Sequence, residues 1–205
     1  MIARVLRGVG RRLGISVYVV MTRPLSTRRH ERRQDVEIRE VTLVEALVAS
    51  ADPALDLPEA IVRDSMARGD VCVGAFDAGR LIAYAWFAYE TTAHLDGIWI
   101  GFERPAVYIY KSFVRPEFRG RGIAPGLYLF ADRLFVERGR TAAVICMEAT
   151  NRASVRAAEH SGARLAGFAV YWTAGSRFKS FSSRGAKKIG FRFYRPTHVA
   201  SAQLE

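Results

Sequence analysis

Hydrophobic and polar positions along the chain follow two periods. Residues 71–76 and 81–89 are dense in Val, Ala, Phe and other strand formers around Asp77-Ala78-Gly79, a pattern that predicts a hairpin. Residues 106–114 predict a further strand, with Tyr108, Tyr110 and Ser112 on one face and Val107, Ile109, Lys111 and Phe113 on the other. The period then changes. Ile123, Leu127, Phe130 and Leu134 recur at i, i+4, i+7 and i+11, as on one face of a helix. Residues 141–150, 163–172 and 189–194 read as later strands, and residues 173–188 as a Gly/Ser/Lys/Arg loop.

Upstream, residues 36–41 predict the first strand of the domain, and Thr42-x-x-Glu45 is a capping box opening a helix to about Ser50. Asp56-Leu57-Pro58-Glu59 predicts a second helix, with Asp56 as N-cap, Pro58 at the first helical position and Gly69 closing it. The order β-α-α-β-β-β-α-β-α-β-β is that of an α+β domain with a mixed, mostly antiparallel central sheet flanked by helices. Three segments follow: a basic N-terminal arm and linker over residues 1–35, the domain at 36–196, and a C-terminal tail at 197–205.

Charge sharpens this division. The net charge is +11, yet residues 36–173 hold 15 Lys and Arg against 17 Asp and Glu, so the basicity belongs to the two ends. The first thirty residues contain no acid. If residues 2–13 are helical, Ile2, Val5, Leu6, Val9 and Leu13 share a face, while Arg4, Arg7, Arg11 and Arg12 lie largely off it. An anionic membrane surface is therefore one expected partner for residues 1–33. A helix docked on the core, an organellar presequence and a solvated basic arm are the other readings. The apolar run at 13–22 is too short to span a bilayer and no small-residue cleavage site follows it, so a peripheral position on the inner face of the membrane, or simply the cytoplasm, is expected. Nucleic acid is a weaker expectation, because the arm has little aromatic interleaving. Cys72 and Cys146 lie in predicted strand interiors, match no metal spacing and read as small buried hydrophobes.

The candidate chemistry centres on residues 114–124. Gly120 and Gly122 let backbone N–H groups approach a ligand, the helix start adds unpaired donors, and Arg119 and Arg121 add charge. Such a joint suits a phosphate. Gly120, Gly122 and Gly126 also spell a loose G-x-G-x-x-x-G, which leaves a nicotinamide-type dinucleotide loop as an alternative, although such a loop should sit within an early βαβ unit. Residues 90–105 form a long connection carrying Glu90, His94, Asp96, Trp99 and Glu103, and read as a functional rim, a solvated loop or an extra strand carrying scattered polar residues.

Taken together, Val114-x-Pro116, Arg119-x-x-Gly122-x-Ala124 and, later, Asn151-x-x-Ser154 followed by Gly162 resemble the GCN5-related N-acetyltransferases. The resemblance spans roughly residues 70–167. It implies acetyl-CoA or another acyl-CoA as cosubstrate, without a metal, and an amine acceptor that is a small molecule or is linked to a lipid or glycan. It implies that Arg119, Gly120, Arg121, Gly122, Ile123 and Ala124 hold the pyrophosphate, that backbone groups of Phe113 and Val114 pair with the pantetheine arm, and that Asn151 lies beside it. Glu148 is the leading base, with Glu90, Glu103 and His94 behind it. Two positions depart from the family. Ala158 stands where many members carry a tyrosine aimed at the sulfur, and Cys146 where members acting on protein N-termini often carry Glu. Tyr110, Tyr108, Ser154, His160 or water are then the candidate acids. A CoA-binding or membrane- or nucleic-acid-associated interaction module that has lost its chemistry is the alternative.

Overall fold

The computed structural model describes residues 14–27, 36–95 and 97–196. Its main sheet has eight strands in the order β10-β9-β1-β8-β7-β4-β3-β2. In chain order these are β1 (Ile15–Pro24), β2 (Glu37–Glu40), β3 (Val71–Asp77), β4 (Arg80–Ala88), β7 (Ala106–Val114), β8 (Ala142–Glu148), β9 (Arg164–Ala174) and β10 (Arg177–Ser182). A smaller sheet joins β5 (Thr92–Ala93), β6 (Trp99–Gly101) and β11 (Arg192–Tyr194). The helices are α1 (Leu43–Ser50), α2 (Glu59–Ala67), α3 (Ile123–Glu137), α4 (Arg152–His160) and α5 (Arg184–Lys188). No helix among the described residues is long and apolar enough to cross a membrane.

Both faces of the sheet are covered at its centre, while one side of β9, β10 and the start of β1 stays open. On one face, Ile123, Leu127, Ala131 and Phe135 of α3 pack on Val73, Ala85, Val107 and Ala143. Beside them Ala158 of α4 meets Met21 and Met147. On the opposite face, Ala46 of α1 and Val62 of α2 cover Cys72, Tyr84 and Trp86. The small sheet covers the rest of that face, with Ile98, Ile100, Phe191 and Phe193 against Tyr18, Tyr108, Val144 and Tyr171. All the pairings in the main sheet are antiparallel except β7 with β8.

Local signals are realised closely in the first half of the domain. Thr42 and Glu45 make the reciprocal capping box at α1. The β3–β4 hairpin turns through Ala78 and Gly79, both at positive φ, as a primed two-residue turn requires. Asp56 is not the N-cap of α2: it sits in the left-handed region, Pro58 holds the cap position, and the Asp56 carboxylate instead accepts from Lys111 Nζ at 2.9 Å.

Two further expectations are corrected. Residues 15–24, read as arm and linker, form a strand inside the sheet, paired with β8 on one side and β9 on the other. Tyr18, Val20, Met21 and Arg23 are buried there, and the two terminal nitrogens of Arg23 pair with Asp132. The expected loop at 173–188 contains β10 and α5, while the connection at 90–105 takes its strand reading and folds as β5 and β6. The amphipathic segment at 1–13, most of the linker at 28–35, Asp96 and the tail at 197–205 lie outside the described residues.

Candidate active site

The site begins with a parting of two strands. β7 and β8 pair only from Ala106↔Ala142 to Ile109↔Ile145. Beyond that point β7 continues against β4 as far as Val114, and β8 continues against β1 as far as Glu148. Each strand follows its other neighbour, so a wedge opens between them, starting at Tyr110 and Cys146.

A bulge sits at the apex. Across from β4, Ile109 pairs with Phe87 and Lys111 with Trp86, which leaves Tyr110 as the extra residue. The bulge shifts the alternation predicted for β7. Lys111 turns to Asp56 on the α1/α2 face, and Phe113 stacks on Tyr84 there, at 6.0 Å between ring centroids. Ser112 turns to α3, where Tyr128 Oη donates to its Oγ at 3.1 Å. The expected stripe of Tyr108, Tyr110 and Ser112 is therefore broken after Tyr110.

The glycine loop at 119–124 lies at the open end of the wedge. Gly120 and Gly122 have φ of +74° and +75°, and a Cβ on either would meet nothing within 4 Å. Gly122 is the N-cap of α3, with no side chain capping the helix and no acid in its first turn. The first-turn N–H groups thus stand without a side-chain acceptor beside a partial positive charge. Arg119 Nε donates to Val114 O at 3.1 Å, bracing the last carbonyl of β7, and Arg121 lies over the Phe118 ring. Ile123 is buried under the loop and Ala124 half-buried. Open backbone, uncapped donors and two cations suit a diphosphate. A cavity of about 1080 Å³ touches the outer side of this loop through Arg121, Gly122 and Gly126. Its lining includes no residue of β7 or β8, so it lies apart from the wedge.

Around the apex stand two polar clusters. The Tyr110 hydroxyl is 2.8 Å from Ser65 Oγ and 3.0 Å from Asp70 Oδ2, and Arg68 Nη2 donates to the same carboxylate oxygen at 2.9 Å. Burial raises the Asp70 carboxyl above its ordinary range against the pull of Arg68, and burial with the Asp70 charge pushes the Tyr110 hydroxyl well up. On the β8 side, Tyr18 stands across from Glu148 in register. Tyr18 Oη is 2.9 Å from His94 Nε2 and 3.2 Å from Tyr171 Oη. Burial, then Tyr171, raises the Tyr18 hydroxyl. Glu148 is half-buried at the strand end, where Thr150 Oγ1 donates to it at 3.5 Å. Burial likewise raises the Cys146 thiol on the same face.

Asn151 caps α4, its Oδ1 accepting from Ser154 N at 3.2 Å, which sets Asn151 and Ser154 at the helix start just past Glu148. Of the other candidates, three stand apart from this group and the fourth is buried beside Tyr110. His160 is exposed at the far end of α4, bonded to Arg156 O. Glu90 pairs with Arg104 at the surface, and Glu103 packs against Gly190. Tyr108 is buried between Phe102 and Tyr110. Sequence reading missed Ser65, Arg68, Asp70, Tyr18 and Tyr171. Asp70 looks like a turn residue after Gly69, and Tyr18 lies in a run with no local sign of a partner strand.

The sequence matches the acetyltransferase (GNAT) family over residues 37–163, and the chain belongs to that family. Among solved structures, a putative GNAT-family acetyltransferase from Novosphingobium aromaticivorans superposes with a TM-score of 0.53 at 17% identity, covering 76% of this chain and 62% of that one. A GCN5-related N-acetyltransferase from Sphaerobacter thermophilus gives 0.52 at 14%, covering 94% and 56%. A functionally unknown conserved protein from Staphylococcus epidermidis gives 0.51 at 16%, covering 80% and 64%. The chain thus spans 56% to 64% of the length of these three, and they share its fold. No curated protein matches it.

Proposed function

We propose that the chain is an N-acyltransferase that moves an acyl group, by preference acetyl, from acyl-CoA to an amine by direct attack. The observation that carries this reading is the wedge between β7 and β8 with the uncapped, glycine-lined start of α3 at its mouth. A diphosphate at residues 119–124 directs the pantetheine arm down the wedge, between the free edges of β7 and β8, toward Tyr110 and Cys146. There a backbone N–H of the β7 edge polarises the thioester carbonyl.

The acceptor arrives as an ammonium ion and must lose a proton before it attacks. Glu148, directly or through a water, takes it. The neutral amine forms the C–N bond, the tetrahedral intermediate collapses with cleavage of C–S, and the thiolate leaves as the thiol. Tyr110 supplies that proton, its hydroxyl kept protonated by burial and its ring fixed by Ser65 and Asp70, and it regains a proton from the nitrogen through solvent. Ala158 offers no donor, since it is packed against Met21 and Met147. That substitution favours the second reading, a CoA-binding module without turnover.

Acetyl-CoA-dependent thiol release measured across a panel of amines separates the two. Turnover that Arg119→Glu abolishes, and that Tyr110→Phe lowers at least about tenfold in kcat with little change in KM for acetyl-CoA, supports the transferase. Binding of acetyl-CoA with no release for any amine supports the module.

A further inference from the structure

We propose that the open face of β1, β9 and β10 is a docking surface for an anionic lipid bilayer. The inference rests on this surface and is independent of the acyl-transfer reading.

Register defines the face. Ile15 stands across from Trp172, which stands across from Lys179; Val17 from Val170, and Val170 from Phe181; Val19 from Phe168. Directly opposed residues share a side of the sheet. The alternate residues Tyr18, Ala169 and Tyr171 are buried beneath the small sheet on the other side. α4 covers only the Val19 and Met21 end of the face in question. Further along, four apolar side chains stand in solvent: Ile15 is 40% exposed, Val17 42%, Phe168 46% and Phe181 62%. So many on one side of a sheet form a contiguous patch rather than scattered surface residues.

Cations border it. Lys179 lies in the Ile15–Trp172 row, Arg177 at the strand end, and the Lys187 ammonium 5.4 Å from the centroid of the Phe181 ring. No acid is near in sequence: between Glu159 and Glu205 the chain has eight Lys and Arg and no Asp or Glu. Apolar side chains that enter the acyl boundary and cations that meet headgroup phosphates are the two components of peripheral attachment to an anionic membrane.

Charge argues against a second copy, and composition against a nucleic acid. Two copies of the chain meeting through this face would bring Arg177, Lys179 and Lys187 toward their own equivalents. Aliphatic Ile15, Val17 and Val170 interleave with the rings of Phe168, Phe181 and Trp172, a mixture that suits acyl chains better than a continuous row of stacked bases. The basic segment at 1–13 joins the sheet at Gly14, whose carbonyl accepts from Thr173 N at 2.9 Å at this end of the face. Attachment assigned from sequence to residues 1–33 is thus extended to the folded domain.

Flotation of the full-length chain with phosphatidylglycerol-rich vesicles, against pure phosphatidylcholine vesicles, tests this. The expected result is flotation with the anionic vesicles only, weakened by salt. Phe168→Ser with Phe181→Ser, and separately Lys179→Glu with Lys187→Glu, should each lower the partition coefficient by roughly tenfold or more while the melting temperature holds. Retained flotation in either pair overturns the proposal and returns binding to residues 1–33. Absence of flotation by the parent chain overturns it too, as does self-association or DNA binding that the phenylalanine pair abolishes in a parent chain that ignores vesicles.

Discussion

Arg23 and Asp132 are 5% and 1% exposed, and the two guanidinium nitrogens of Arg23 grip the two carboxylate oxygens, joining β1 to α3. Ser26 N gives the carboxylate a third donor at 3.0 Å. Removing one partner strands a charge, so Asp132→Ala should destabilise the fold by about 3–5 kcal/mol in denaturant titration. A second pair sets a pH response. Arg115, 2% exposed, donates to Asp52 and holds its carboxyl down to about 2, from an ordinary 3.8. A depressed folded pKa contributes stability above the unfolded value and loses it as pH falls through the folded one. The melting temperature should therefore drop between about pH 4 and pH 2, and Asp52→Asn should flatten that drop. Part of it will remain, because Arg39 holds Glu45 to about 2 in the same window. None of these partners was legible in sequence. Asp132 is 109 residues from Arg23 and Arg115 is 63 from Asp52, separations at which no local periodicity acts.

At the scale of elements, the extent of β7 was legible and its facing was not. Strand formers from Ala106 to Val114 specify the strand, but alternation assumes an unbroken pleat. The bulge at Tyr110 arises from pairing with β4, which only the tertiary fold supplies. The start of α3 was legible for the opposite reason, since Gly120 and Gly122 act through their own backbone. Both hold a positive φ that a β-branched residue resists. Gly122→Val should weaken acetyl-CoA binding by at least about tenfold by calorimetric titration while lowering stability by roughly 1–2 kcal/mol.

Across the whole molecule, the domain reaches further than its family match. Residues 37–163 hold the cradle, the wedge and Asn151, yet β1, β9 and β10 lie outside that span and complete the sheet beyond β8. A chain beginning at Val36 would leave β8 and β9 each without their neighbour. It should be insoluble or should lack the cooperative melting transition of the full chain, as differential scanning calorimetry would show. Sequence placed the division at residue 35 because charge density falls there. The ten-residue apolar run at 13–22, read against a bilayer thickness, supplies from Ile15 onward a strand in the interior of a sheet, flanked by β8 and β9.

The wedge with its glycine-lined cradle is the centre of the account, and ligand-induced thermal stabilisation tests it most directly. The melting temperature should rise with CoA and acetyl-CoA in a concentration-dependent way, and should rise less for Arg119→Glu. It should be indifferent to NADH and NADPH. No shift with any CoA species, and above all a shift with a nicotinamide cofactor instead, would contradict the assignment of residues 119–124 to an acyl-CoA diphosphate.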